Sequence, residues 1–261
     1  MRRFWMSCAS AGMVISMLGV FGTTAVVNAQ STNRPGHMTA RQLLARSLRI
    51  SVGASSVHEK AKVIEAYTET ISGKLYQGSY RETYHGDFSR RQPRRITITG
   101  LRAFHASGAQ PLEPGLQAFS ETFVGTHKAA RLGRHGWRCG NAAILTVSSS
   151  DGKPPVAMPS QPSYIRGLQS IRMMKATMLR ALPVFRVLLT GRLRDPLLKH
   201  LRYTEIIWIS KRDFTVRRVG LRETGEGVAT KLAIRVRASG AVNYSRYGAP
   251  VHIKMPRACR G

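Results

Sequence analysis

Apolar positions recur along this chain with two periods, and the period changes several times. Between residues 39 and 47, Ala40, Leu43 and Leu44, followed by Leu48, keep helical spacing behind Thr39, a residue able to cap a helix, which predicts one short amphipathic helix. From residue 62 to 84 the chain turns β-branched and aromatic around Gly73 and Gly78, the composition of strands joined by a tight turn. Residues 95 to 101 put Ile96 and Ile98 on one face, and residues 117 to 125 do the same with Phe119 and Phe123, as half-buried strands require. Further strands are expected at 206 to 209 around Trp208, at 215 to 221, and where Val251, Ile253 and Met255 alternate. The longest alternation sets Val228, Thr230, Leu232, Ile234 and Val236 against Lys231, Arg235 and Arg237, and predicts one antiparallel strand with a buried and a wet face. Residues 106 to 115 and 151 to 162, rich in glycine or proline, read as surface connections.

One stretch has a different period. From about 164 to 202, Ile165, Leu168, Ile171, Met174, Met178 and Leu182 follow helical spacing until Pro183, and Pro196 can start another helix, so a helical insertion is predicted. Its cations include Arg172, Lys175, Arg180 and Arg186, with Asp195 as the sole acid. Such a segment is either a core helix pair with a solvated basic face or an interfacial element covering a cavity, in which Met173, Met174 and Met178 repack around ligands of varied shape.

Composition narrows the function classes. The chain has 261 residues, 43% of them hydrophobic, with 24 Gly and 12 Pro, which excludes a disordered tail, a collagen and a coiled coil. The 41 Lys+Arg against 13 Asp+Glu give a net charge of +28, so an anionic partner or surface is expected. So few acids argue against metal-dependent phosphoryl transfer, because hard cations need several acidic oxygens together. No G-x-S-x-G, H-E-x-x-H or G-x-x-x-x-G-K-[ST] occurs. Glu65 and Glu69 can share a strand face, but in so basic a chain they serve first as partners for arginine, and Tyr84-His85-Gly86-Asp87 is a turn signal first. The expectation is a non-enzyme without a cofactor or metal. The basic runs at 89 to 95 and 131 to 138 hold few aromatics, so no specific nucleic acid is expected.

The N-terminus reads as an export signal. Arg2 and Arg3 precede an apolar stretch from Met13 to Phe21, and Val27-Asn28-Ala29 offers small residues where a signal peptidase cuts. Cleavage after Ala29 leaves residues 30 to 261 as a single domain in the periplasm or outside the cell. Retention as an anchor is the alternative, weakened by Gly12, Gly19 and Gly22. Cys8 lies too early to be an acylated cysteine. Cys139 and Cys259 then remain, as one disulfide or as two thiols; a zinc set of His127, His135 and Cys139 matches no standard ligand spacing.

Four segments carry a family resemblance. Gly86-Asp87-Phe88 leads through Pro93 to a strand, Phe123-Val124-Gly125 is followed by Trp137, and Trp208-Ile209-Ser210-Lys211-Arg212-Asp213 resembles a "W-I-D-x-x-T" strand and turn. Tyr247-Gly248-Ala249-Pro250-Val251-His252-Ile253-Lys254-Met255-Pro256 resembles a closing "y-G-x-P-V-x-I-x-x-P". In this order, across residues 38 to 256, they resemble the LolA-like lipoprotein-localisation superfamily, nearest its LppX/LprG branch and more distantly LolB and the sensor domain of RseB. The chain departs from that branch in its charge, in lacking a lipobox cysteine and in Ser210, where an acid is frequent. The resemblance implies an α+β fold: a strongly curved antiparallel sheet, a half-barrel, whose concave face is covered by helices around an apolar cavity for acyl chains. It implies a carrier of lipid or lipidated protein; an envelope sensor on the same fold, and a basic exported protein binding anionic polymers, are the alternatives. Ile96, Ile98, Phe119, Phe123, Trp208, Leu232, Ile234 and Val236 are the expected cavity wall, with Met174 and Met178 from the insertion. Arg172, Lys175, Arg180 and Arg186 are the expected contacts to an anionic membrane, made by a monomer.

Overall fold

The computed structural model describes residues 38–71, 74–90, 95–107, 115–141, 168–193, 201–229 and 232–260. Helix α1 (Ala40–Gly53) opens the described chain. Thr39 Oγ1 accepts from Gln42 N, and Gln42 Oε1 accepts from Thr39 N at 2.9 Å, so two otherwise orphaned amides at the helix start are satisfied together. The helix runs six residues past the predicted end at Ser47. Ser47 and Ser51 are buried on its packed side, and Ser51 Oγ accepts from Val216 N at 2.9 Å, so a polar face position is used in packing.

Eleven strands follow: β1 (Ser56–Ile71), β2 (Lys74–Ser89), β3 (Arg95–Ser107), β4 (Gly115–Val124), β5 (His127–Leu132), β6 (Arg138–Asn141), β7 (Leu168–Leu179), β8 (Leu182–Leu193), β9 (Leu201–Ser210), β10 (Val216–Ala229) and β11 (Leu232–Ser245). They form one open antiparallel sheet in the order β6-β5-β4-β3-β2-β1-β11-β10-β9-β8-β7. The sheet is therefore two meanders, β1 to β6 and β7 to β11, joined where the first strand pairs with the last from His58↔Ser245 to Ile71↔Leu232.

Alternation fixes two faces. On the face carrying α1, Val57, Ala61, Phe88, Ile96, Phe123, Val187, Ile207, Val219 and Val242 belong to one buried cluster with Leu43 and Leu44. The opposite face carries Lys60, Lys62, Arg218 and Arg222, placed there by the pairing of Lys62 with Ala241 and of Arg222 with Ser239. Gly100 sits on the helix face of β3, where a Cβ would lie within 3 Å of Thr83 O, the Phe119 ring and Tyr84 Cβ. After β11 the chain runs along the sheet end: Gly248 N donates to Ser56 O, and Arg95 Nη1 donates to Ile253 O. It closes in a 3-10 turn (Arg257–Cys259), where Cys259 forms a disulfide with Cys139 of β6, their Cα atoms 5.4 Å apart. The short outer strand is thereby tied to the end of the chain.

Three expectations are corrected. The predicted helical insertion is instead the hairpin β7–β8 over its described part; residues 164 to 167 and 194 to 200, with Pro196 and Asp195, lie outside the described residues. The helical spacing was misleading because β7 is an edge strand with register shifts at Leu168/Ser170 and Met174/Thr177, which break strict alternation. β8 buries Val184, Val187, Leu188 and Leu189 on both faces, so it too lacks a period of two. Pro183 stands near the strand start, where its missing N–H costs no ladder bond, and its carbonyl accepts from Lys211 N. The long alternation from Val228 to Val236 is not one strand but the two arms of β10–β11, Ala229 facing Leu232; Thr230 and Lys231 lie outside the described residues. Val251, Ile253 and Met255 form no strand, since the chain there is bonded along the sheet end. The predicted connection at 151 to 162 and most of that at 106 to 115 lie outside the described residues.

Two outcomes follow. Gly100→Val should lower unfolding free energy by about 2 to 3 kcal/mol through overpacking, while Gly53→Ala, with open space around its Cβ, should be near neutral; chemical denaturation compares them. Non-reducing mass analysis should find no alkylatable thiol at Cys139 or Cys259, and reduction should lower the melting temperature, the crosslink being worth ~4 to 5 kcal/mol on a chain-entropy estimate.

Candidate functional site

Five predicted wall residues come together on the helix face. Ile96 pairs with Phe123, Gly100 with Phe119, and Ile98 with Glu121, while Val236 faces Tyr67; Ile96, Ile98, Phe119, Phe123 and Val236 are all buried there. Leu232 and Ile234 occupy β11, and their side chains lie outside the described residues. Trp208 is a correction. It stands between Ile207 and Ile209, both buried on the helix face, so its own ring points to the other face, beside Arg218. Met174 and Met178 are corrected as well. Met174 pairs with Arg186 away from the core, and Met178, at the end of β7 beside the hairpin turn, is 61% exposed; the β7 residues packed against the core are Leu168 and Ile171.

The helix face also holds what alternation alone obscured: a set of buried glutamates. Glu59 lies between Val57 and Ala61, Glu121 between Phe119 and Phe123, Glu205 between Tyr203 and Ile207, and Glu223 follows Leu221; each occupies an apolar-face slot. Glu65 and Glu82 join them. That placement was the available signal, an acid where the alternation calls for a hydrophobe. Two have cations beside them, Glu121 with Lys128 Nζ at 3.3 Å and Glu82 with Arg102 Nε at 3.7 Å, and Tyr80 Oη donates to Glu82. Glu59 accepts from Tyr84 Oη at 2.7 Å. Glu65 and Glu223 both stand opposite Ala238, on either side of β11, and no hydrogen-bond partner reaches either oxygen of Glu223.

A carboxylate taken out of water without a counter-charge is costly, so such groups hold their protons. Burial raises Glu59 to about 8, against the weaker opposing bond from Tyr84. Burial, then the charge of Glu223, raises Glu65 and Glu205 to about 8, and burial raises Glu223 to about 7. Near neutral pH the interior is thus less charged than its composition suggests, and it offers carboxyl O–H donors among apolar side chains. Among the described residues no cluster of three or more His, Cys, Asp or Glu can hold a metal ion, and Cys139, the thiol of the disfavoured His127, His135 and Cys139 set, is in the disulfide.

The opposite face is basic. Two adjoining troughs of roughly 570 and 630 Å3 cross it, sharing Lys62, Arg218 and Ala241. Trp208, Ile64 and Ile206 line the first; Lys60, His85, Leu101, Arg131 and Arg180 line the second. Gly220 leaves the floor low beside Trp208, since a Cβ there would come within 3.1 Å of the indole. Of the four cations expected to meet a membrane, Arg172, Lys175 and Arg186 lie on β7–β8, and Arg180 is in the turn between the two strands. Arg186 Nε donates to Lys175 O at 3.0 Å.

No protein-family model matches the chain, and no curated protein matches it. Among solved structures it is similar to LprF from Mycobacterium bovis, 14% identical over 83% of this chain and 96% of that one, with a TM-score of 0.50. Lipoprotein LppX from Mycobacterium tuberculosis is 14% identical, with coverage of 81% and 98% and a TM-score of 0.46. An outer membrane lipoprotein-sorting protein domain from Vibrio parahaemolyticus is 10% identical, with coverage of 82% and 94% and a TM-score of 0.27. The likeness to LprF is one of fold.

The buried carboxyls dictate a pH dependence. Their folded values lie above the ordinary 4.5, so the folded chain keeps protons that the unfolded chain releases, and stability should fall as pH rises from about 5 to about 8. Glu223→Gln should raise stability at pH 8 by on the order of 1 to 3 kcal/mol and change it little at pH 5, read from denaturation midpoints at both values.

Proposed function

We propose that this chain is an exported, non-enzymatic carrier that holds acyl chains of a lipid or lipidated protein against the helix face of its sheet. The fold shared with LprF over most of both chains is the observation that carries this reading. Three further features support it. The apolar side chains of β3, β4 and β11 converge on one face with those of α1. A helix of 14 residues is about 21 Å long, whereas the eight strands from β4 across β1 and β11 to β8 would span about 34 Å if flat, so a sheet wrapped toward its helix accounts for one continuous buried cluster. The interior carboxyls, held protonated, can donate to ester or amide carbonyls at the head of an acyl ligand. The export signal, cleaved after Ala29, places the carrier outside the cytoplasm as a monomer.

Delivery of such a ligand requires contact with a bilayer. The cations on β7–β8 and its turn face outward and suit an anionic surface, each contributing about 1 kcal/mol near it at low salt. Native mass spectrometry of the protein purified from membranes should find acyl-chain ligands retained; a protein free of them after mild extraction overturns the carrier reading. Arg172→Glu, Lys175→Glu, Arg180→Glu and Arg186→Glu combined should abolish sedimentation with anionic vesicles at low salt and leave the melting transition in place.

A further inference from the structure

The geometry points to a second binding site, in the basic trough on the face opposite α1, and to a phosphate-bearing ligand as its occupant. Lys60, Lys62, His85, Arg131, Arg180 and Arg218 line it, drawn from β1, β2, β5, β10 and the β7–β8 turn, with no acid among its lining residues. Among the described residues, one acid at the strand positions of that face lies near the trough, Asp87, two residues along β2 from His85. At strand positions of that face the described carboxylates are Asp87 and Glu226, held by His58 at 2.9 Å and by Arg235 at 3.0 Å. The five lysines and arginines around one depression repel one another, and long side chains free to move apart would do so. Here two of them are fixed. Arg218 stacks on the Trp208 ring at 5.3 Å, and its Nε is buried without a hydrogen-bond partner. Arg131 stacks on Trp137 at 5.2 Å.

Arg180 supplies an independent indication. It is the first of two non-glycine residues in left-handed backbone, with φ of 47° followed by 65° at Ala181. Two consecutive left-handed residues are what a two-residue hairpin turn closed by Leu179 and Leu182 requires, and they set the direction in which Arg180 leaves the turn. The bulge between Met174 and Thr177 bends the same hairpin, and the result is an arginine from the far edge of the sheet in one trough with Lys60 of its centre. Several cations around a small volume match a multiply charged anion better than a carboxylate, and guanidinium forks fit phosphate oxygens in pairs. Leu101, 43% exposed, gives the trough an apolar wall beside the cations. The site does not rest on the carrier reading, since it lies on the other face.

Calorimetry on the mature chain tests it with three probes: short-chain phosphatidate, short-chain phosphatidylcholine and pyrophosphate. Saturable binding of phosphatidate at one per chain is expected, about tenfold tighter than the choline lipid. Phosphatidate tighter than pyrophosphate assigns a lipid headgroup, and equal affinity assigns the phosphate alone. Arg180→Ala and Lys60→Ala should each weaken binding about fivefold or more, whereas Arg237→Ala, on the same face outside the trough, should leave it unchanged. Lys60→Gln, which keeps the stem, replaces any variant that loses its melting transition. Binding that does not saturate, or an equal loss in Arg237→Ala, overturns the site, because diffuse charge would then account for it. Acyl ligands retained on the helix face should survive Arg180→Ala, so failure here is distinguishable from failure of the carrier reading.

Discussion

The pairing of β1 with β11 is the constraint on which the rest of the structure depends. Each meander is a run of local hairpins, and neither alone brings the first half of the chain to the second. The ladder from His58↔Ser245 to Ile71↔Leu232 does so, at a sequence separation that makes its closure entropy large. Its register decides that Ala61, Val63 and Glu65 share a face with Val242, Gly240 and Ala238, and a slip of one residue would move this entire set to the basic side. The disulfide between Cys139 and Cys259 constrains a second long-range contact, holding the chain end against β6.

From that register comes an uneven division of charge. Glu59, Glu65, Glu82, Glu121, Glu205 and Glu223 all point toward α1, and most strand cations point away. Segregation of this kind costs energy unless the acids are neutral, which burial brings about, or paired, as Glu121 is with Lys128. The outer face is left with unbalanced positive charge. The two faces therefore suit different chemistry: apolar chains and carbonyls on one, anions on the other.

Strand chemistry was legible in the residues because half-buried strands with strict alternation declare themselves. Residues 95 to 101 and 117 to 125 were read correctly, and so were the shared faces of Ile96 with Ile98 and Phe119 with Phe123. Where alternation fails, the signal fails with it. β8 is apolar on both faces and β7 is bulged at the edge, so the pair imitated a helix. The run from Val228 to Val236 keeps its period across a hairpin turn, which no periodicity argument can detect. Trp208 was misplaced because its neighbours Ile207 and Ile209 are equally apolar, and only pairing with Arg218 chooses between the two faces.

What the residues determined by themselves was local: a capped amphipathic helix, a strand-rich chain, a strong positive charge, two cysteines able to pair, and motifs resembling LolA-like proteins. Tertiary structure decided which strand is central, which face the described side chains take, that the glutamates are buried rather than solvated, and that Arg180 and Lys60 line one trough. The physical reason is one of range. Hydrophobic period and capping are interactions between residues a few positions apart, whereas the sheet's centre and its troughs arise from pairings between residues nearly two hundred positions apart.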